Sequence, residues 1–187
     1  MVSDDIDDID DIDEDLFGQL AAGLTPVTPS GDLRADILGD ARPEARFLDL
    51  SEQVATLMDV STDRAISRLA GIDDEQSWEQ GPFAGIDLYH LDGGPAVSDA
   101  IVGFVRIEPG AAFPEHEHLG TETVLVLQGA YRDSDGVVYR RGDQNIKAAG
   151  SSHDFEALEG PPLIYLVVAF EGVAIGEMIL GPDDPRM

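Results

Sequence analysis

The sequence predicts a mainly β fold, a sandwich or jelly-roll barrel with a short helical region ahead of it. Three observations carry that prediction. Beyond Gly81, short runs rich in aliphatic and aromatic residues recur at regular spacing, with glycine or proline at the breaks. Ahead of Gly81, apolar residues recur instead at helical spacing. At 187 residues, the chain holds one domain of ordinary size with flanking segments.

The opening residues, 4–12, repeat a three-residue unit of two aspartates and an isoleucine. Such a run repels itself and is ordinarily a solvating tail. Yet Ile6, Ile9, Leu16, Phe17 and Leu20 would line one stripe of an acidic helix able to fold onto a basic, grooved partner. Residues 24–31 read as a linker by their proline and glycine content, and Asp32 as the cap of a short helix reaching Leu38. Between Phe47 and Gly71 the helical spacing is clearer. Ser51 is expected to cap a helix carrying Val54, Leu57 and Met58. A second helix restarts at Ser61-Thr62-Asp63, carries Ile66 and Leu69, and ends at Gly71. Both are expected on the outside of the barrel or at a dimer contact.

Strands are predicted over 83–91, 100–108, 121–127, 136–139, 144–148, 153–157, 163–170 and 173–180. Residues 130–141 should form a tight hairpin with Asp133-Ser134-Asp135-Gly136 as its turn. The organisation expected is an acidic tail and linker over 1–31, a helical segment over 32–76 and the barrel over 77–182.

Composition narrows the function. The formal net charge is −27. Residues 4–15 supply nine acids and no base, which leaves 29 acids against 11 bases, a net of −18, on the rest. A chain this acidic disfavours a nucleic-acid backbone as partner. Lys147 is its only lysine. Without cysteine, neither a disulfide nor a thiolate zinc site can form. No apolar run approaches the roughly 20 residues of a membrane helix, and the acidic N-terminus is unlike a secretory or transit signal. A cytoplasmic protein without a membrane partner is therefore expected. A Ser-His-Asp set and a phosphate-cradling glycine loop are both missing, which disfavours hydrolases and nucleotide enzymes.

The chemistry concentrates in one spaced pattern: Gly110, five residues, His116, one residue, His118, three residues, Glu122, six residues, Gly129. In a strand, side chains alternate faces, so His116 and His118 point the same way and Glu122 shares their parity. A second pattern, Gly142, Gly150 and His153, adds another imidazole. A His-x-His pair alone is often just a solvated pair, but three histidines and a glutamate so placed, with only His90 left over, argue for a site. Imidazoles with a carboxylate suit a borderline divalent ion. One divalent ion per chain, Zn, Fe(II), Mn or Ni, is expected on His116, His118, Glu122 and His153. Three of these ligands would lie on one strand and its turn, and His90 outside the shell.

These positions resemble the two motifs of the cupin family. The first is met at every fixed position; in the second, Ala148 and Ala157 replace the usual proline and asparagine, and no ligand is lost. The resemblance implies a jelly-roll, or double-stranded β-helix, barrel and a metal held by those four residues. The runs Pro114–Glu122 and Val124–Gly129, with Ala149-Gly150-Ser151-Ser152-His153, are similar to the cupin domain of ChrR-type anti-sigma factors. That likeness implies zinc and a regulatory role coupled to release of a sigma factor under oxidative stress. The family's zinc domain that holds sigma uses a Cys-x-x-Cys pair, and this chain has no cysteine and no histidine before His90. Sigma binding would then fall to the acidic stripe from Ile6 to Leu20. The same subfamily contains Fe(II) dioxygenases that cleave small diketones, so whether the protein is an enzyme stays open. Cupins commonly dimerise, and a symmetric homodimer is expected, covering the apolar helical faces and an exposed barrel edge.

Around the metal, Arg106 is a lone base in an apolar run, placed either to bind an anion inside the barrel or to pair with an acid outside it. Tyr89, Phe104, Phe113 and Phe155 are candidate pocket walls for a small-molecule ligand, with plain core as the competing role. Trp78 is expected to pack.

Overall fold

The computed structural model describes residues 46–182 and 184. The expected acidic helix over 6–20, the linker over 24–31 and the helix over 32–38 lie outside the described residues.

A 3₁₀ turn at Leu48–Leu50 leads into α1 (Ser51–Met58), followed by α2 (Thr62–Ala70). Ser51 does not cap α1. The preceding turn runs straight into the helix, and the Ser51 hydroxyl donates back to the Leu48 carbonyl at 2.6 Å. Ser61 does cap α2, its hydroxyl accepting from the Arg64 amide, and Gly71 closes that helix.

The strands are β1 (Glu79–Gln80), β2 (Ile86–His90), β3 (Ala100–Ile107), β4 (Ala112–His118), β5 (Glu122–Gln128), β6 (Ala130–Asp133), β7 (Val138–Arg140), β8 (Gln144–Lys147), β9 (Ser152–Ala157), β10 (Leu163–Phe170), β11 (Val173–Ile175) and β12 (Met178–Leu180). They form two antiparallel six-stranded sheets, ordered β1-β2-β3-β10-β5-β8 and β12-β11-β4-β9-β6-β7. Successive strands from β3 to β6 change sheet at each step, which is the jelly-roll pattern. The predicted hairpin is β6–β7, turning at Asp133–Gly136. The single strand expected over 173–180 is instead the hairpin β11–β12, turning at Gly176, whose φ is +59°.

The first sheet is buried on both faces. On β3, β5 and β10, Ile101, Val105, Val124, Val126, Leu163, Tyr165 and Val167 face the barrel interior. Their neighbours Val102, Phe104, Leu125, Leu127, Ile164 and Leu166 pack outward against Val54, Met58, Ala65 and Leu69 of the helices. This explains why β10 reads Leu-Ile-Tyr-Leu-Val-Val-Ala-Phe, an unbroken apolar run in an antiparallel sheet. The second sheet keeps the usual alternation, and β9 is exposed and buried in turn along its whole length. The apolar helical faces, expected to need a second copy as cover, are covered by the chain's own first sheet.

Candidate metal centre

His116 and His118 stand on β4, His153 on β9 and Glu122 at the start of β5. The second sheet therefore supplies all three imidazoles. Glu122 comes from the facing sheet, across the turn at 119–121, and not from the histidines' own strand and turn as parity suggested. His116 and His153 are direct cross-strand partners. One ligand atom from each of the four lies within 4.8 Å of every other, and all four residues are buried.

Each imidazole is anchored through Nδ1. That of His116 lies 2.9 Å from the Pro114 carbonyl, and that of His118 lies 2.8 Å from the Ser151 carbonyl and 3.1 Å from its hydroxyl. That of His153 lies 3.1 and 3.2 Å from the two oxygens of Asp133. Carbonyls and carboxylates only accept, so each Nδ1 carries the proton and each Nε2 keeps its lone pair. The Nε2 atoms of His116 and His153 then face each other at 3.1 Å. Nε2 of His118 is buried without a hydrogen-bond partner among the described residues, with a Glu122 oxygen 3.5 Å away. Converging lone pairs beside a carboxylate fit a divalent cation, and this donor set can hold one.

Electrostatics agree with that fit. Burial pushes His116 down to about 4 and also lowers His153, so both are neutral at pH 7. Burial works the same way on His118, but Glu122 outweighs it and raises that imidazole.

Behind His153 lies a buried polar group that the sequence reading treated only as a turn. Asp133 is 2% exposed. It accepts from Lys147 Nζ at 2.7 Å and Asn145 Nδ2 at 3.2 Å, besides His153. Asn145 also donates to the Tyr131 hydroxyl at 2.9 Å. Burial works to raise the Asp133 carboxyl, but Lys147 and His153 outweigh it and hold it down at about 2. Parity offered a signal: Asp133 stands two residues from the apolar Tyr131, on the inward face of β6.

An apolar cavity adjoins His116 and Glu122, walled by Phe83, Phe113, Phe155, Tyr165 and aliphatic residues of both sheets. Phe113 reaches it through a bulge. Phe113 pairs with Phe155 and His116 with His153, so β4 carries one extra residue around Pro114, where its register shifts. Without the bulge, Phe113 and His116 would face opposite sides. The other pocket candidates are elsewhere. Phe104 and Tyr89 belong to the cluster beneath the helices, where Tyr89 meets Phe104 and Trp78 edge-on. Arg106 lies outside the barrel, paired with Glu75 and Asp87 and 4.6 Å from the Trp78 ring centre. Its strand neighbours Val105 and Ile107 take the interior, and that parity turns Arg106 out. His90 is not among the four clustered residues.

Two motif glycines hold the frame around the cluster. Gly129, at φ +71°, lies so close to the Pro161 and Pro162 carbonyls that a Cβ would stand 3.0–3.1 Å from them. Gly150, at φ +74°, turns β8 into β9 and donates its amide to the His118 carbonyl at 2.7 Å. Any side chain at Gly150 strains the backbone that sets His118.

A jelly roll closed around a buried cluster of three histidines and one glutamate is a cupin. The model of the ChrR cupin-like domain matches residues 68–169, more than half of the chain, and the protein belongs to that family. Among solved structures it is similar to Rhodobacter sphaeroides SigE in complex with the anti-sigma ChrR, with 24% identity, 83% of this chain and 75% of that one covered, and a TM-score of 0.49. It is also similar to an acetylacetone dioxygenase from Acinetobacter johnsonii, with 14% identity, 58% and 80% covered, and a TM-score of 0.49. A third is KdgF from Halomonas sp., with 23% identity, 52% and 90% covered, and a TM-score of 0.44. No curated protein matches. Among the described residues no helix is long and apolar enough to cross a membrane.

Proposed function

We propose that this chain is a metal-binding cupin of the ChrR type that holds one divalent ion on His116, His118, Glu122 and His153 and senses a small molecule or oxidant there. The observation that carries it is the anchoring of all three imidazoles through Nδ1, which leaves their Nε2 lone pairs converging beside Glu122. Zinc is the ion we assign, since neutral histidine and carboxylate are its usual oxygen and nitrogen donors. When bound, such an ion would supply Lewis acidity. The chain's own part is to fix ligand direction through Pro114, Ser151 and Asp133, and to keep water from the apolar side. The family membership supports a regulatory role, with residues 1–24 as the sigma-binding segment.

A second reading is favoured by the cavity, which borders two of the four residues and so lets a small molecule reach the ion. In it the protein is an Fe(II)-dependent dioxygenase acting on small diketones. One experiment separates the two. Metal content is measured first, with about one divalent ion per chain expected and full occupancy in a His116/His118 double alanine variant counting against any such site. The protein is then reconstituted anaerobically with Fe(II), and oxygen uptake is followed over diketones and aromatic ketones. Uptake abolished in Glu122→Ala establishes the enzyme. No uptake, with sigma-factor capture lost on deleting residues 1–24, establishes the regulator. We further propose a homodimer through a barrel edge such as β8, where Ile146 is 66% exposed. Light scattering at raised salt, which screens the repulsion between acidic copies, tests that assembly, and a monomer there refutes it.

A further inference from the structure

We infer that the cavity beside the cluster is a binding site for a small, neutral molecule with an apolar body and one hydrogen-bond-accepting oxygen, and that Tyr165 is the residue that orients it. The inference deepens the sensing or dioxygenase reading by giving the class of molecule.

Three properties of the cavity lead there. The first is size. About 60 Å³ is open to the centre of a water-sized molecule. A cavity needs at least roughly 10–15 Å³ to hold even one water, so this one has room for a small compact body and not for a sugar acid. The second is charge. Among the described residues no lysine or arginine lines the cavity, and its one carboxylate is that of Glu122. An organic anion would lose its hydration with no cation to receive it and a carboxylate nearby. The third is the polar inventory. Apart from His116 and Glu122, the only polar side chain on the wall among the described residues is Tyr165.

Tyr165 lies on β10 of the first sheet, 4% exposed, with its ring edge-on to Phe155. Its hydroxyl makes no side-chain hydrogen bond to another described residue and is not a fully buried polar atom left unsatisfied, whereas the hydroxyl of nearby Tyr131 is engaged by Asn145. Burial keeps the Tyr165 hydroxyl protonated far above neutral pH, so it is a standing donor. An oxygen acceptor on a cavity ligand can take its hydrogen bond, and the direction of that hydrogen bond fixes which end of the ligand faces His116 and Glu122.

The test uses the zinc-loaded full chain and three probes with one five-membered ring: cyclopentanone, methylenecyclopentane and cyclopentanecarboxylate. Affinities are read from chemical-shift titrations. Cyclopentanone should bind saturably and the carboxylate at least about tenfold more weakly. Tyr165→Phe should weaken cyclopentanone by about two- to tenfold, the range of one neutral hydrogen bond, and leave methylenecyclopentane unchanged. That ratio is what a merely structural tyrosine would not move. Val105→Phe, which fills the cavity from β3, should abolish binding of both. Equal affinity for the ketone and the carboxylate in the wild-type chain overturns the inference whether or not the variants fold. So does an unchanged ketone-to-alkene ratio in Tyr165→Phe. Zinc content, measured on the same samples, keeps the two readings apart. Zinc bound without probe binding refutes the cavity site alone, and probe binding without zinc refutes the metal centre alone.

Discussion

Asp133→Asn is the substitution that most directly tests the polar support behind the candidate metal centre. The carboxylate sits between His153, Lys147 and Asn145, and all three direct donors at it. An asparagine of the same shape has one accepting oxygen and brings two donors of its own, so at most part of that set stays satisfied. Lys147, whose side chain is 18% exposed, would lose its charge partner. Breaking a buried pair from one side costs about 3–5 kcal/mol, and the partial exposure of Lys147 places this case near the low end, about 3 kcal/mol. At roughly 2–4 °C per kcal/mol for a chain of this length, the melting temperature should fall by about 6–12 °C. The imidazole of His153 also loses its orienting acceptor, and zinc affinity should drop about 10- to 100-fold. Thermal melts of the metal-free protein give the first number and chelator competition the second. The double variant Asp133→Asn/Lys147→Met should be less destabilised than the sum of the singles, since the two losses share one contact. Melting and zinc affinity both unchanged in Asp133→Asn would show that the network neither stabilises the barrel nor directs the ligand.

Three further outcomes are expected. In metal-free protein, NMR titration should place the His116 imidazole near 4, since burial depresses it. Its folded value lies below the ordinary one near 6.5, so it contributes stability that is present above about 6.5 and lost as pH falls toward 4. Asp133 follows the same sign lower down, its contribution fading as pH drops from about 4 through about 2. Zinc affinity should fall as pH drops from 7 to 5, because protons compete for the lone pair of His118, the one imidazole of the three that is raised; an affinity flat over that range would exclude His118 as a ligand. Arg106→Ala should cost stability through the lost contact with the Trp78 ring, about 0.5–1 kcal/mol for such a contact near the surface. It should leave zinc content unchanged, and loss of zinc in that variant would contradict the placement of Arg106 outside the barrel.

The sequence by itself determined the features that depend on near neighbours. Glycines at left-handed positions, the Asp133–Gly136 turn and the Ser61 cap are local in cause, so they are readable where they stand. That His116, His118, Glu122 and His153 belong together was legible from their types and spacing, and the fold brings all four into one buried cluster. Tertiary structure alone decided which wall each came from. Glu122 shares parity with the histidines but opens a strand of the facing sheet. Parity also failed on β3, because a strand covered by the other sheet on one face and by helices on the other is apolar throughout, and nothing local says which face turns in. Phe104 and Arg106 were therefore ambiguous in sequence and are outward in the fold. The bulge at Pro114 reverses the face of Phe113 through one unpaired residue, a register set by pairing with β9 some forty residues away. Asp133 is the clearest case. As a residue it is a turn former, and only the convergence of β6, β8 and β9 surrounds it with His153, Lys147 and Asn145, because burial and charge pairing belong to the packed structure and not to any one segment.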